Sequence, residues 1–173
     1  MSKKLIVVSG LPGSGKSTLA EALAQQLQIP VFAKDWLEAP LLRTGLVERS
    51  QLGRVGYELL ISLIRRQLQF GQSAILDSVA GRVEIRDAWR ELAAEFDACW
   101  IVIECVCSDE GIHRDRLVGR DRGIPGWYEL EWADVERSRG YFVPWDEDRL
   151  VVDSVRPIDE NVDRALRYIR SSS

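Results

Sequence analysis

Three glycines, Gly10, Gly13 and Gly15, fall within VVSGLPGSGKST (residues 7–18), directly after an apolar run and directly before an amphipathic one. Glycine lets backbone approach a ligand with no Cβ in the way and permits positive φ, so successive N–H groups can converge on one anion. Gly10, four residues, then Gly15, Lys16 and Ser17 fit the pattern G-x-x-x-x-G-K-[ST]. In that pattern the loop amides wrap a phosphate chain, the lysine reaches the β- and γ-phosphates, and the hydroxyl ligates Mg²⁺. The flanks agree: KLIVVS (4–9) reads as a buried strand and KSTLAEALAQQL (16–27) as a helix. Leu19, Leu23 and Leu27 recur every four residues with Ala20 and Ala24 beside them. The helix therefore buries one face and aims its positive N-terminus at the phosphates. Gly10, Pro12, Gly13, Ser14, Gly15, Lys16, Ser17 and Thr18 form the expected nucleotide-binding loop. The competing account is an ordinary glycine-rich turn with a solvated lysine, which would not require strand, loop and helix in register.

The 173 residues fit one domain, expected over residues 1–170, with SSS (171–173) as a frayed tail. A formal charge of −4 argues against a general nucleic-acid surface, while a local basic cleft stays open. The cysteines Cys99, Cys105 and Cys107 are odd in number and lie in or beside one apolar run, so buried reduced thiols and a cytoplasmic location are expected. No apolar run approaches the ~20 residues that span a bilayer, and MSKKLIVVSG leads to the glycine loop where a signal peptide would have a cleavage site. A soluble protein with no membrane partner is the expectation, and the oligomeric state is left open.

Five runs read as strands: 4–9, 29–33, 73–76, 100–106 and 149–152. Helical stretches lie between them, the alternation of a parallel sheet covered on both faces. Ile85, Trp89, Leu92 and Phe96 hold one helical stripe, and Val162, Ala165, Leu166 and Ile169 another. Residues 57–68 read as a helix ended by Gly71, whereas 35–51 is broken by Pro40 and Gly45 into a short helix plus loop.

In open parallel sheets ligands sit beyond the carboxyl ends of the strands, so the residues after each run carry the chemistry. Asp77 closes SAILDS, the position of a Mg²⁺-supporting carboxylate, with a turn cap as the alternative. Ser78 follows where nucleotide-hydrolysing ATPases typically place a glutamate to activate water, which favours transfer to a substrate hydroxyl over hydrolysis. Asp35 follows the second strand, placed either to take a proton from an acceptor hydroxyl or to cap the next stretch. HRDRLVGRDRG (113–123) supplies Arg114, Arg116, Arg120 and Arg122. Arg116 and Arg120 would share a helix face, with Gly119 and Gly123 as hinges of a lid whose arginines spread charge on the γ-phosphate. A solvated, salt-bridged helix face is the alternative. His113, the single histidine, sits among charges and reads as a surface residue. Trp127, Tyr128, Trp132, Tyr141, Phe142 and Trp145 either cap a substrate ring or fasten a short helix. Arg43, Arg54, Arg82 and Arg86 are placed to meet an anionic acceptor or to pair with carboxylates. Arg156, after the last strand, is positioned for the adenine by location alone.

With glycine loop, second-strand aspartate, ILDS and arginine lid in this order, the chain resembles the small P-loop kinases grouped with chloramphenicol phosphotransferase, zeta toxin, gluconate kinase and polynucleotide kinase. The resemblance implies the α/β P-loop NTPase fold, a five-stranded parallel sheet in the order 2-3-1-4-5. It also implies Mg-ATP as donor, a general base at Asp35, and β/γ-phosphate and metal contacts from Lys16 and Ser17. Nucleotide contacts from Arg116, Arg120 and Arg122 complete the set. The expected function is phosphoryl transfer from ATP to a hydroxyl of a small molecule, with Asp35, Lys16 and Arg120 as catalytic residues, and Ser17 and Asp77 at the metal. A polynucleotide 5′-hydroxyl kinase and a noncatalytic ATP-binding module are the alternatives, and the acidic balance favours the small molecule. DSVA lacks the D-x-x-G of a GTPase switch, and no N-K-x-D occurs.

Overall fold

A computed structural model describes residues 3–172. Its order is β1 (Lys4–Ser9), α1 (Lys16–Leu27), β2 (Val31–Ala33), α2 (Lys34–Arg43), a 3₁₀ turn (Arg49–Gln51) and α3 (Leu52–Gln69). Then follow β3 (Ala74–Asp77), α4 (Val83–Glu95), β4 (Cys99–Val106), α5 (Glu110–Asp115), α6 (Trp132–Tyr141), β5 (Leu150–Asp153) and α7 (Ile158–Ser171). The strands form one parallel sheet in the order β2-β3-β1-β4-β5. This is the α/β P-loop fold expected from the sequence.

Side chains alternate across a strand, and β1 shows what that does here. Leu5 and Val7 pack under Leu60, Ile64 and Leu68 of α3 and Trp89 and Leu92 of α4. Ile6 and Val8 pack on the opposite face against Leu19 and Leu23 of α1 and Ala165, Leu166 and Ile169 of α7. The central strand is thus buried on both sides, and its continuous apolar run follows from that. Beyond its carboxyl end lies the glycine loop, and Asp35, Ser78 and Arg156 follow the carboxyl ends of β2, β3 and β5.

Several local expectations need correction. Helix α2 runs through Pro40 to Arg43 instead of breaking at the proline. The ring removes one backbone donor, but the helix needs only one further turn, which Thr44 closes: its N–H and hydroxyl both donate to the Pro40 carbonyl, at 3.0 and 2.8 Å. Helix α7 continues through Ser171, so the expected tail is shorter, and Ser173 lies outside the described residues. Cys105 is buried, with burial pushing its thiol up to about 12, but Cys99 and Cys107 are only half-buried. Among the described residues no helix is long and apolar enough to cross a membrane.

Candidate active site

The loop between β1 and α1 has the backbone its glycines permit. Gly10, Gly13 and Gly15 adopt φ of 149°, 80° and 92°. A Cβ on Gly10 would fall 2.4 Å from the Cys105 carbonyl oxygen of β4, so that position has no room for a side chain. Gly15 begins α1 with no side-chain cap, which leaves the first-turn amides and the positive end of the helix facing the hollow.

Two hollows meet at this loop. The larger, of about 530 Å³, is lined by Pro12, Lys16, Ser17 and Thr18, by Asp35 of α2, Asp77 of β3, and Arg120 and Arg122. The smaller, of about 410 Å³, is lined by Gly13, Gly15, Thr18, Arg116, Arg120, Ser154, Arg156 and Asn161. Thr18 and Arg120 face both. A triphosphate lying along the loop would therefore have its nucleoside end by Ser154 and Arg156 and its terminal phosphate by Asp35.

Asp77 is buried, with Ser17 beside its carboxylate. Burial drives its carboxyl up, against the Lys16 charge and the Ser17 hydroxyl, which favour the anion. Its Oδ1 is buried with no hydrogen-bond partner, an oxygen available to a hard cation. Among the described residues no group of three or more His, Cys, Asp or Glu side chains could hold a metal. Ser17 and Asp77 accordingly fit Mg²⁺, which takes one or two protein oxygens and completes its shell with phosphate and water.

Asp35 lies 2.6 Å from Arg122 Nη1. Burial alone would raise its carboxyl; the charges of Lys16, Lys34 and Arg122, with the Arg122 hydrogen bond, outweigh it and hold the group below its usual value. Arg122 also pairs with Glu129 at 3.4 Å. Behind Asp35, Lys34 pairs at 2.6 Å with the fully buried Glu38 and lies 5.4 Å from the centre of the Tyr57 ring, with Ser78 close by. All four line the larger hollow.

The lid differs from expectation. Helix α5 ends at Asp115, and Gly119 and Gly123 both take φ of 63°, so Arg116 and Arg120 share no helix face. Arg116 instead donates to the hydroxyl (2.6 Å) and the carbonyl (2.7 Å) of Ser154, fastening the segment to the turn after β5. Arg122 crosses to Asp35, and Arg43 donates to the Pro125 carbonyl at 3.2 Å. Arg49 lies 3.6 Å over the Tyr128 ring, itself stacked on Trp127. Residues 122–128 are thus clasped to α2 and the 3₁₀ turn. Arg156 is exposed and pairs with Glu160 at 2.6 Å on the rim of the smaller hollow. Arg82 lies over the Tyr141 ring. Arg86 is spent internally, donating to the carbonyls of Ala80 and Val143 at 2.6 Å each, and is closed to an acceptor.

The aromatic segment divides. Trp132 and Trp145 are anchors, the first edge-on to His113 and the second donating to Ser9 Oγ at 3.3 Å. Trp127, Tyr128 and Tyr141 line the larger hollow. His113 is not a surface residue: it is 3% exposed and bonds the loop at Pro12. The sequence signal was its spacing, since His113 and Leu117 are four apart and both turn toward Gly13. Glu38 and Lys34 gave no such signal, because their burial depends on α3 packing over them.

Comparison with known proteins agrees with the fold. A family model described as an AAA domain matches residues 5–126. An uncharacterized protein of Mycobacterium tuberculosis is 28% identical over 182 residues, covering 98% of this chain and 35% of that protein. The chain thus spans about a third of the length of the curated relatives it matches first. Among solved structures, a protein provisionally described as a kinase from Chloroflexus aurantiacus superimposes with a TM-score of 0.75 at 26% identity, over 97% of this chain and 99% of that one. A gluconokinase from Sinorhizobium meliloti shares the fold, with a TM-score of 0.70 at 18% identity over 99% and 94% of the two chains.

Proposed function

The chain belongs to the AAA domain family matched over residues 5–126, and from that membership we propose that it is a kinase transferring the γ-phosphoryl group of ATP to a hydroxyl of a small molecule. The observation that carries this reading is the placing of Asp35 in one hollow with Lys16, Ser17, Asp77 and Arg120. Beside the Asp77 that would serve the metal, this second carboxylate gives an acceptor hydroxyl a group to deliver its proton to.

In this reading the loop amides and Lys16 hold the β- and γ-phosphates, and Arg116 and Arg156 border the nucleoside end. Mg²⁺ held by Ser17 and Asp77 would neutralise charge on the phosphate oxygens. The acceptor hydroxyl sits against Asp35, which is kept ionised by its cationic neighbours. As the acceptor oxygen bonds to the γ-phosphorus and the bond to the departing ADP oxygen breaks, the hydroxyl proton passes to Asp35. The loose transition state makes little demand for a strong base, so a depressed carboxyl suffices to orient the nucleophile. In this reading Arg120, which lines both hollows, spreads charge on the transferring group. Ser78, in the place where a water-activating glutamate would stand, carries no carboxylate and accepts from the Ala80 N–H. Clasping of residues 122–128 over the hollow further limits water.

The test is labelled Mg-ATP with a library of sugars, sugar acids, aminoglycosides and nucleosides, plus an oligonucleotide with a free 5′-hydroxyl. Label should appear on a small molecule. Asp35→Asn should lower turnover about 100-fold with ATP affinity kept, and Lys16→Ala should weaken ATP binding. ATP binding with no labelled acceptor would overturn the transferase reading, and label on the oligonucleotide alone would move it to nucleic-acid ends.

A further inference from the structure

His113 has no task in the chemistry above, yet its Nε2 lies 2.7 Å from the Pro12 carbonyl oxygen. A carbonyl only accepts, so this contact requires the proton on Nε2. The Pro12 carbonyl and the Gly13 N–H belong to one peptide group, and there is no cis bond among the described residues. In a planar trans peptide the two point in opposite directions. Gripping the carbonyl from the α5 side therefore turns the Gly13 N–H away from α5, toward the hollow that Gly13 lines and His113 does not.

The ring is itself fixed. Trp132 meets it edge-on, with centroids 5.2 Å apart and planes at 83°. A Cβ at Gly13 would stand 3.1 Å from His113 Cδ2 and 3.0 Å from Leu117 Cδ2, so His113 of α5 and Leu117 just after it fill the space behind the loop. We infer that His113 is a positioning residue for the phosphate loop: by donating from Nε2 to the Pro12 carbonyl it sets the peptide plane that presents the Gly13 amide to a nucleotide phosphate. This rests on the nucleotide role proposed for the loop. It also makes α5, from which the arginine segment departs, the shared support of loop and lid.

Three proteins test it: the parent, His113→Phe, which keeps a ring against Trp132 but has no donor, and His113→Gln, which restores an N–H at similar reach. The Phe variant should bind Mg-ATP about tenfold more weakly, the scale of one lost amide–anion hydrogen bond. The Gln variant should recover to within about threefold of the parent. Equal affinity in the Phe variant and the parent would overturn the inference, as would equal weakening in the Phe and Gln variants, which would mark a packing role only. Should the Phe variant fail to fold, ¹⁵N chemical shifts of the imidazole decide, since the chain has one histidine. A proton on Nε2 supports the bond, and a bare Nε2 with the proton on Nδ1 removes it. A parent that binds no ATP would instead sink the kinase reading, an outcome distinct from a parent and Phe variant that bind alike.

Discussion

Asp35 shows how a single carboxylate is set by its surroundings. Its ordinary value is 3.8, and burial, which would raise it, is outweighed by Lys16, Lys34 and Arg122. A group whose folded value is depressed contributes stability above its unfolded value and loses it as pH falls through the folded one. The Asp35–Arg122 pair should therefore add about 1–2 kcal/mol at neutral pH. Thermal melts of the parent and Asp35→Asn should differ at pH 6 and converge as pH drops below 3.8. A difference that persists unchanged at pH 2.5 would place its origin elsewhere. Asp35 was legible in the sequence as the residue after the second strand, but the residue that clamps it was not. Arg122 lies 87 positions along the chain, and nothing in its own neighbourhood points to that partner.

At the scale of elements, α2 and α3 meet through a buried acid. A Cβ on Gly56 would stand 2.2 Å from Glu38 Oε1 and 2.8 Å from its Cγ. Glu38 cannot swing away without leaving Lys34, its partner at 2.6 Å. Gly56→Ala would gain up to ~1 kcal/mol of helix propensity, but the overlap should exceed it, for a net loss of about 1–2 kcal/mol. Denaturant unfolding checks this, and in a Glu38→Ala background, which carries its own cost from the unpaired Lys34, the further change Gly56→Ala should cost little. The sequence marked α1, α4 and α7 well because each carries an apolar stripe of helical spacing. It misread α2 at one point: Pro40 argues for a break, whereas the helix runs on to Arg43 before Thr44 and Gly45 end it. It also extended the lid helix, where local charge spacing suggested one face but Ser154 draws Arg116 elsewhere.

Taken as one molecule, the chain brings the glycine loop and the two hollows beside it together at one segment, residues 116–131. That segment is tied to β5 through Ser154, to α2 through Asp35 and Arg43, and to the 3₁₀ turn through Arg49. Removing one tie should loosen it as a unit: Arg122→Ala should raise amide exchange and protease cleavage within 116–131, leaving β1, β3 and β4 protected. Unchanged exchange there would mean the remaining contacts suffice. By itself the sequence determined the strands of a parallel sheet, the glycine loop and the carboxylates after the strands, because each depends on periodicity or on residue types at fixed short spacing, while the strand order came only through the family resemblance. Only the tertiary structure decided which arginine meets which carboxylate, that His113 is a buried prop, and that the aromatics split between anchors and cavity wall. Those outcomes turn on contacts between residues far apart in the chain, and local chemistry carries no record of what folds against it.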